Sequence, residues 1–282
     1  MKLGAFELYP VSDGRFRLDG GAMFGIVPKV LWEPCCPADE RNRIQLALNC
    51  LLIRAYDKLI LVDTGLGDQW QPKYQDIFAI DRPTALLHSL QELQVYPDEI
   101  DLVINTHLHF DHAGGNTSKE EHRGTIVPTF PKAKYVVQRG EFDEATHPNE
   151  RTKASYRAET FTPIAETGQW EFLDGDTEIL PGISVLVTGG HTTYHQIIKI
   201  ESEGQIALYL GDLVPTVSHL PLPYIMGYDL FPLQTLEAKR RLLTQACENK
   251  WLLFFEHDPH IQCGFVDRNN QGTFCLAKGG HG

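Results

Sequence analysis

A layered α/β protein is what this sequence predicts, and three observations predict it. Apolar runs of strand length recur in both halves of the 282-residue chain, with helical stretches interspersed. Hydrophobic residues make up 42% of the chain, enough for a large core. The polar residues of chemical interest fall just after the ends of the apolar runs, as expected of a site carried on loops above a rigid sheet. No internal repeat or low-complexity stretch marks a boundary, so residues 1–282 read as one domain.

The first clear elements are apolar runs at 44–53 and 59–62, joined across the polar stretch 54–58, which spell a hairpin ending in Asp63-Thr64-Gly65. Residues 84–93 carry Leu86, Leu87, Leu90 and Leu93 at helical spacing. A buried strand at 102–104 runs directly into Thr106-His107-Leu108-His109-Phe110-Asp111-His112, and 135–137 is another strand. Residues 140–167 read as helices interrupted at Pro148 and Pro163. Strands follow at 183–187, 195–200 and 206–210, then a helix over 236–247, a strand at 251–255 and a closing pair near 262–266 and 273–276.

Composition excludes several classes of function. A net charge of −12 argues against a nucleic-acid partner, because phosphate contacts need clustered Lys and Arg. The basic triplet Lys239-Arg240-Arg241, next to Glu237, reads as a solvated helix face. No apolar run approaches the roughly 20 residues that span a bilayer, and the N-terminus lacks an apolar leader. A cytoplasmic protein without a membrane partner is therefore expected. The six cysteines form no CxxC pair and read as reduced thiols. Vicinal Cys35 and Cys36 make a poor disulfide and have no assigned role.

His107, His109, Asp111 and His112 fall within six residues, and all four suit a first-row transition metal. His107 and His109 alternate along an extended segment and can share one ion. Asp111 and His112 follow on a turn before Gly114-Gly115 and can reach a second, about 3.5–4 Å away as in two-metal hydrolases. One segment cannot close two sites. Further ligands are expected after other strands, at Gly190-His191, Gly211-Asp212 and Glu256-His257-Asp258. Glycine ahead of a ligand allows the sharp turn that such a position needs.

The series HxHxDH, Gly-His, Gly-Asp and a late His after a strand resembles the metallo-β-lactamase-fold hydrolase superfamily, over about residues 49–259. Leu61-Val62-Asp63-Thr64-Gly65 is similar to that superfamily's early strand-end motif. The resemblance implies a four-layer αββα sandwich. It implies that His107, His109 and His191 bind one divalent ion, that Asp111, His112 and His257 bind another, and that Asp212 bridges them with a hydroxide. Zinc is the first expectation for the metal, with manganese, iron and cobalt as alternatives. Asp63 has two readings, a carboxylate orienting the ligand loop or a strand-end turn residue. His195 likewise reads as a neighbour of the site or as a strand-surface histidine. His88, His122, His147, His260 and His281 carry no motif.

Within the superfamily the chain looks most like the branch of N-acyl-homoserine lactonases and methyl parathion hydrolase. Two departures stand out. Pro215 occupies the place, three residues past Asp212, where lactonases commonly carry a tyrosine, and residues 191–195 lack their usual Pro-Gly pair. The expected activity is hydrolysis of a small, partly apolar lactone or ester, with Asp212 and Asp111 as the acidic catalytic groups. The alternatives are a phosphotriesterase, a glyoxalase II-like thioesterase and a metal-binding protein without turnover. The apolar segments 20–28 and 219–232 read as pocket walls, through Met23, Phe24, His219, Tyr224, Met226 and Tyr228, together with Phe110 and Tyr194. Such segments equally suit a subunit interface, so a homodimer is expected.

Overall fold

The computed structural model describes residues 1–120 and 124–278, so the expectations for His122 and His281 lie outside the described residues. Two seven-stranded sheets organise the chain. The first runs, in spatial order, Lys2–Leu3, Phe6–Asp19, Arg43–Ala55, Lys58–Val62, Leu102–Ile104, Lys134–Gln138 and Trp170–Leu173. The second runs Thr177–Leu180, Ile183–Val187, Gln196–Ser202, Gln205–Tyr209, Leu252–Phe254, Cys263–Arg268 and Phe274–Leu276. The chain divides into two compact units, residues 1–14 with 48–177 and residues 15–47 with 178–282. Among the described residues no helix is long and apolar enough to cross a membrane.

In the first unit the expected hairpin forms, with Leu51 opposite Val62 and Ala55 opposite Lys58. Lys58–Val62 and Leu102–Ile104 then pair in parallel, Val62 beside Ile104, and Leu102–Ile104 pairs in parallel with Lys134–Gln138. Parallel neighbours deliver their C-terminal ends to one edge of the sheet, so Asp63 and Thr106 emerge side by side. Leu52, Leu61, Val103, Phe130 and Tyr135 pack with Leu86 and Leu90 from the Leu86–Glu92 helix into one core.

In the second unit the register does the same work. Gln205–Tyr209 runs parallel to Leu252–Phe254, with Tyr209 beside Phe254. Asp212 and His257 each lie three residues past that pair. Ile183–Val187 and Gln205–Tyr209 are both antiparallel to the intervening Gln196–Ser202, so His191 leaves its strand at the same edge. The Pro232–Asn249 helix starts with Pro at its first position, where the missing N–H is not needed, and buries Ala238, Leu242, Leu243 and Ala246 against Leu208, Leu253 and Phe255.

Three features differ from the sequence reading. A 14-residue strand, Phe6–Asp19, and the short helices Gly20–Phe24, Lys29–Trp32 and Pro72–Ile77 carry no clear sequence signal, because Pro10, Gly14 and several charges interrupt the first and the others are one turn or so long. Segment 20–28 is thus partly helical rather than a loop. Lys239 does not lie on a solvated face. Its side chain is fully buried, and Nζ donates to the carbonyl oxygens of His219 at 2.7 Å, Tyr224 at 2.7 Å and Pro221 at 3.1 Å. Arg240 and Arg241 are the exposed members of that triplet.

Candidate metal centre

The donors of the first unit sit on the loop after Leu102–Ile104. Two contacts with Asp63 fix where that loop begins: its carboxylate accepts Thr106 N at 2.7 Å and Thr106 Oγ1 at 2.7 Å. The same carboxylate accepts His112 Nδ1 at 3.1 Å. Asp63 is therefore both a strand-end turn residue, with φ +54°, and the group that orients a candidate ligand. His112 returns its carbonyl to Thr64 N at 2.7 Å. Gly114 and Gly115 lie against the chain at 64–66, where a Cβ on either would run into the carbonyl oxygen of Leu66 or Thr64. The small residues after His112 let the two strand-end loops touch.

Within this frame the rings of His107 and His109 are 4.4 Å apart between centroids, and those of His107 and His112 are 4.0 Å apart. The ligand atoms of His107 and His109 lie within 4.8 Å of each other, as do those of Asp111 and His112. Thr106 Oγ1 already donates to Asp63, so at 3.0 Å it accepts from His107 Nδ1. His107 and His112 thus use Nδ1–H as donors. From behind, Glu141 accepts Leu108 N at 3.1 Å and the Tyr156 hydroxyl at 3.0 Å, and the Tyr156 ring lies 5.0 Å from that of His109.

The second unit contributes His191, Asp212 and His257, which converge in one place. His191 Nε2 is 3.0 Å from one Asp212 oxygen, and His257 Nε2 is 3.2 Å from the other. Both histidines commit Nδ1 elsewhere, His191 to Asp229 at 2.9 Å and His257 to the Ala47 carbonyl at 2.9 Å. Two imidazole Nε2 atoms and a carboxylate, all nearly inaccessible to water, therefore face one another. Such a donor set is stable only around positive charge, which is the chemistry of a divalent-metal site. The same field acts on the His191 proton equilibrium. Burial opposes charge on His191, but the Asp212 and Asp229 carboxylates outweigh it and push its pKa up to about 10.

His195 is not a strand-surface histidine. It is buried, its Nδ1 faces Thr188 Oγ1 at 2.7 Å, and its Nε2 accepts the Asp212 amide at 3.1 Å. It fixes the backbone of Asp212 just after Gly211, whose φ of +48° makes the turn. His219 also has both nitrogens engaged, with Thr216 Oγ1 at 2.8 Å and the Met23 carbonyl at 2.8 Å, and burial pushes its pKa down to about 3. It is a neutral structural residue.

The expected pocket residues separate into two kinds. Met23, Phe24, Met226 and His219 are buried, and Phe24 stacks on Trp32 at 5.2 Å and His219 at 4.6 Å with Tyr224 edge-on at 6.0 Å. Met23 and Phe24 are core residues and offer no surface to a ligand. Tyr194 and Tyr228 are each 37% exposed, both on the chain after His191. Phe110 is half-buried beside His109 and belongs to an aromatic group the sequence reading missed, with Phe78 at 5.1 Å and Trp70 at 5.5 Å. Arg157 lies over the Trp70 ring at 4.2 Å. Asp229 was also missed. Its signal is that it alone carries a formal charge between Leu220 and Thr235. Pro215, at the lactonase tyrosine's place, accepts the His257 amide at 2.9 Å through its carbonyl.

Several known proteins resemble this chain in sequence and fold. The model of the metallo-β-lactamase superfamily matches residues 44–257. The N-acyl homoserine lactonase AiiA of Bacillus thuringiensis subsp. kurstaki is 27% identical over 265 residues, which cover 89% of this chain and 93% of that protein. Among solved structures, a probable metal-dependent hydrolase from Staphylococcus aureus is 31% identical, covers 99% of both chains and superposes with a TM-score of 0.89. AidC, a dizinc quorum-quenching lactonase, shares the fold at 24% identity, with a TM-score of 0.79 over 98% of this chain and 95% of its own. The sandwich expected from the motifs is the fold of these proteins, and the chain belongs to the metallo-β-lactamase superfamily as one of its metal-dependent hydrolases.

Proposed function

We propose that the protein is a dinuclear metal hydrolase that opens lactones or cleaves esters bearing an apolar acyl group. The convergence of His191 Nε2 and His257 Nε2 on the two oxygens of Asp212 carries this reading. One carboxylate whose two oxygens each face a different imidazole would suit a site for two ions. In this reading His107, His109 and His191 hold one, and Asp111, His112 and His257 hold the other. Zinc is the favoured metal, as nitrogen and carboxylate donors with one dizinc relative support. Two divalent ions there supply an acidified water near neutral pH and an electrophile for a carbonyl oxygen.

The chain's own residues do the remaining work. Asp212, its backbone held by His195, stands ready to take the proton of the attacking water at a carboxylate oxygen. It then returns that proton to the leaving alkoxide as the acyl C–O bond breaks. Asp111, 6% exposed, is the second acidic group at the site. With Pro215 in place of a tyrosine, Tyr194 and Tyr228 are the hydroxyls available from flanking segments. Trp70, Phe78 and Phe110 form a half-buried apolar wall beside His109, suited to an acyl chain. The similarity to N-acyl homoserine lactonases supports the same substrate class.

The test is a substrate panel on metal-analysed protein: N-acyl homoserine lactones, simple lactones, aryl esters, a paraoxon-type triester and S-lactoylglutathione. Highest kcat/KM on the acyl lactones, lost on chelation and regained with zinc, is expected. Metal-replete protein that turns over the triester or thioester but no lactone would overturn the substrate assignment. Trp70→Ala and Phe110→Ala should each raise KM about tenfold for a decanoyl substrate, from the ~1–1.5 kcal/mol of an aromatic contact, with little change for a butanoyl one. Equal effects on both chain lengths would count against the acyl wall.

A further inference from the structure

The carboxylate of Asp229 faces two ways. One oxygen accepts His191 Nδ1 at 2.9 Å, and the other accepts the Thr235 hydroxyl at 2.7 Å. All three residues are buried. Thr235 stands in the first turn of the Pro232–Asn249 helix. The backbone around this chain of hydrogen bonds is closed as well, since Leu230 N donates to the His191 carbonyl at 3.1 Å and Phe231 N to that of Gly190 at 2.8 Å. Gly190 has φ +88°, and a Cβ there would run into Thr235. The residue before His191 is thus fitted against the same helix turn that holds Asp229.

The consequence for His191 is specific. With Nδ1–H committed to an anion, the ring is oriented so that Nε2 faces Asp212, at 3.0 Å. His257, in the same unit, donates instead to a neutral carbonyl, that of Ala47. A carboxylate acceptor fixes the ring and strengthens the imidazole as a metal donor more than a carbonyl does.

We propose that Asp229 is the positioning residue for His191, that Thr235 locks its carboxylate, and that the first turn of the Pro232–Asn249 helix thereby sets the affinity for the ion His191 binds. This inference rests on the dinuclear reading above. Apo-protein titrated with zinc ion alone, in competition with a chromogenic chelator, tests it. Asp229→Ala should weaken one zinc equivalent ~10–100-fold, the usual effect of losing such a partner, and leave the other within about twofold. Asp229→Asn should recover most of that loss, because its Oδ1 still accepts Nδ1–H and its amide can donate to Thr235 Oγ1. Thr235→Val should bind between Asp229→Asn and Asp229→Ala. The apo-protein's melting temperature should be unchanged in Asp229→Asn and Thr235→Val, which separates positioning from general support of the fold. Wild-type zinc affinity in Asp229→Ala would overturn the proposal, as would an Asp229→Asn loss equal to that of Asp229→Ala. If Asp229→Ala does not fold, wild-type affinity in Thr235→Val overturns it. Absence of any tight zinc binding by the wild type would remove the dinuclear reading and this inference together.

Discussion

Asp212→Ala is expected to lower kcat by about 1000-fold or more, a loss of ~4 kcal/mol in transition-state stabilisation. The size follows from how much the side chain does at once. Its two oxygens face His191 and His257 at 3.0 and 3.2 Å, so removing it takes the shared anion from both. In the proposed mechanism it also removes the group that moves the proton. His109→Ala should lose activity comparably through the other donor set. His147→Ala, altering an exposed histidine that makes its contacts with Thr146 and Asp143, should be indistinguishable from wild type. Metal analysis and steady-state kinetics on the three variants check this together. Retained turnover in Asp212→Ala at full metal content would exclude the carboxylate from the chemistry.

Lys239→Met should destabilise the protein by about 3 kcal/mol at pH 7, the scale of leaving buried acceptors without donors. The ammonium group serves three backbone carbonyls, those of His219, Pro221 and Tyr224, which no apolar side chain can satisfy. Relief of a buried charge offsets part of that loss. Burial pushes the Lys239 pKa down to about 7 from its ordinary 10.5, against the opposing pull of Asp229. The sign of the pH effect follows. Between about pH 7 and 10.5 the unfolded chain holds a proton here that the folded chain has released, so this residue's contribution to stability rises with pH through that window. Lys239→Met should flatten that rise. Urea unfolding of the apo-protein at pH 7 and pH 9.5 measures both effects. A midpoint unchanged at pH 7, or an undiminished pH slope, would show that the tripod of hydrogen bonds carries little energy.

The candidate ligands and the residues around them differ in how far they could be read from sequence. His107, His109, Asp111 and His112 were legible because one short loop carries them all. His191, Asp212 and His257 were legible as candidates because each follows an apolar run by a few residues, and the sheet register brings the ends of those runs to one edge. Gly190 and Gly211, both at positive φ, announced sharp turns ahead of their ligands. Lys239 was misread although its spacing gave a hint. It lies four residues after Thr235 and three before Leu242, on the buried stripe of its helix. A charged side chain outweighed that periodicity, since burial of a lysine depends on acceptors that a sequence does not display. Phe24 was misread for the opposite reason. Apolar and glycine-flanked, it fits a pocket wall or a core equally well, and its stacking on Trp32 and His219 decided for the core.

By itself, then, the sequence determined the type of chemistry: the ligand kinds, their order along the chain and the family fold that carries them. These depend on short-range features, namely strand length, turn residues and spacing within a few positions. Tertiary structure alone decided which groups His112, His191 and His257 face through Nδ1, that His195 holds the Asp212 backbone, that Asp229 and Thr235 brace His191, and that Lys239 is interior. Most of those facts are hydrogen bonds between segments well separated in the chain. The partner of such a bond exists only once packing has brought the two segments together and excluded the water that would otherwise satisfy them.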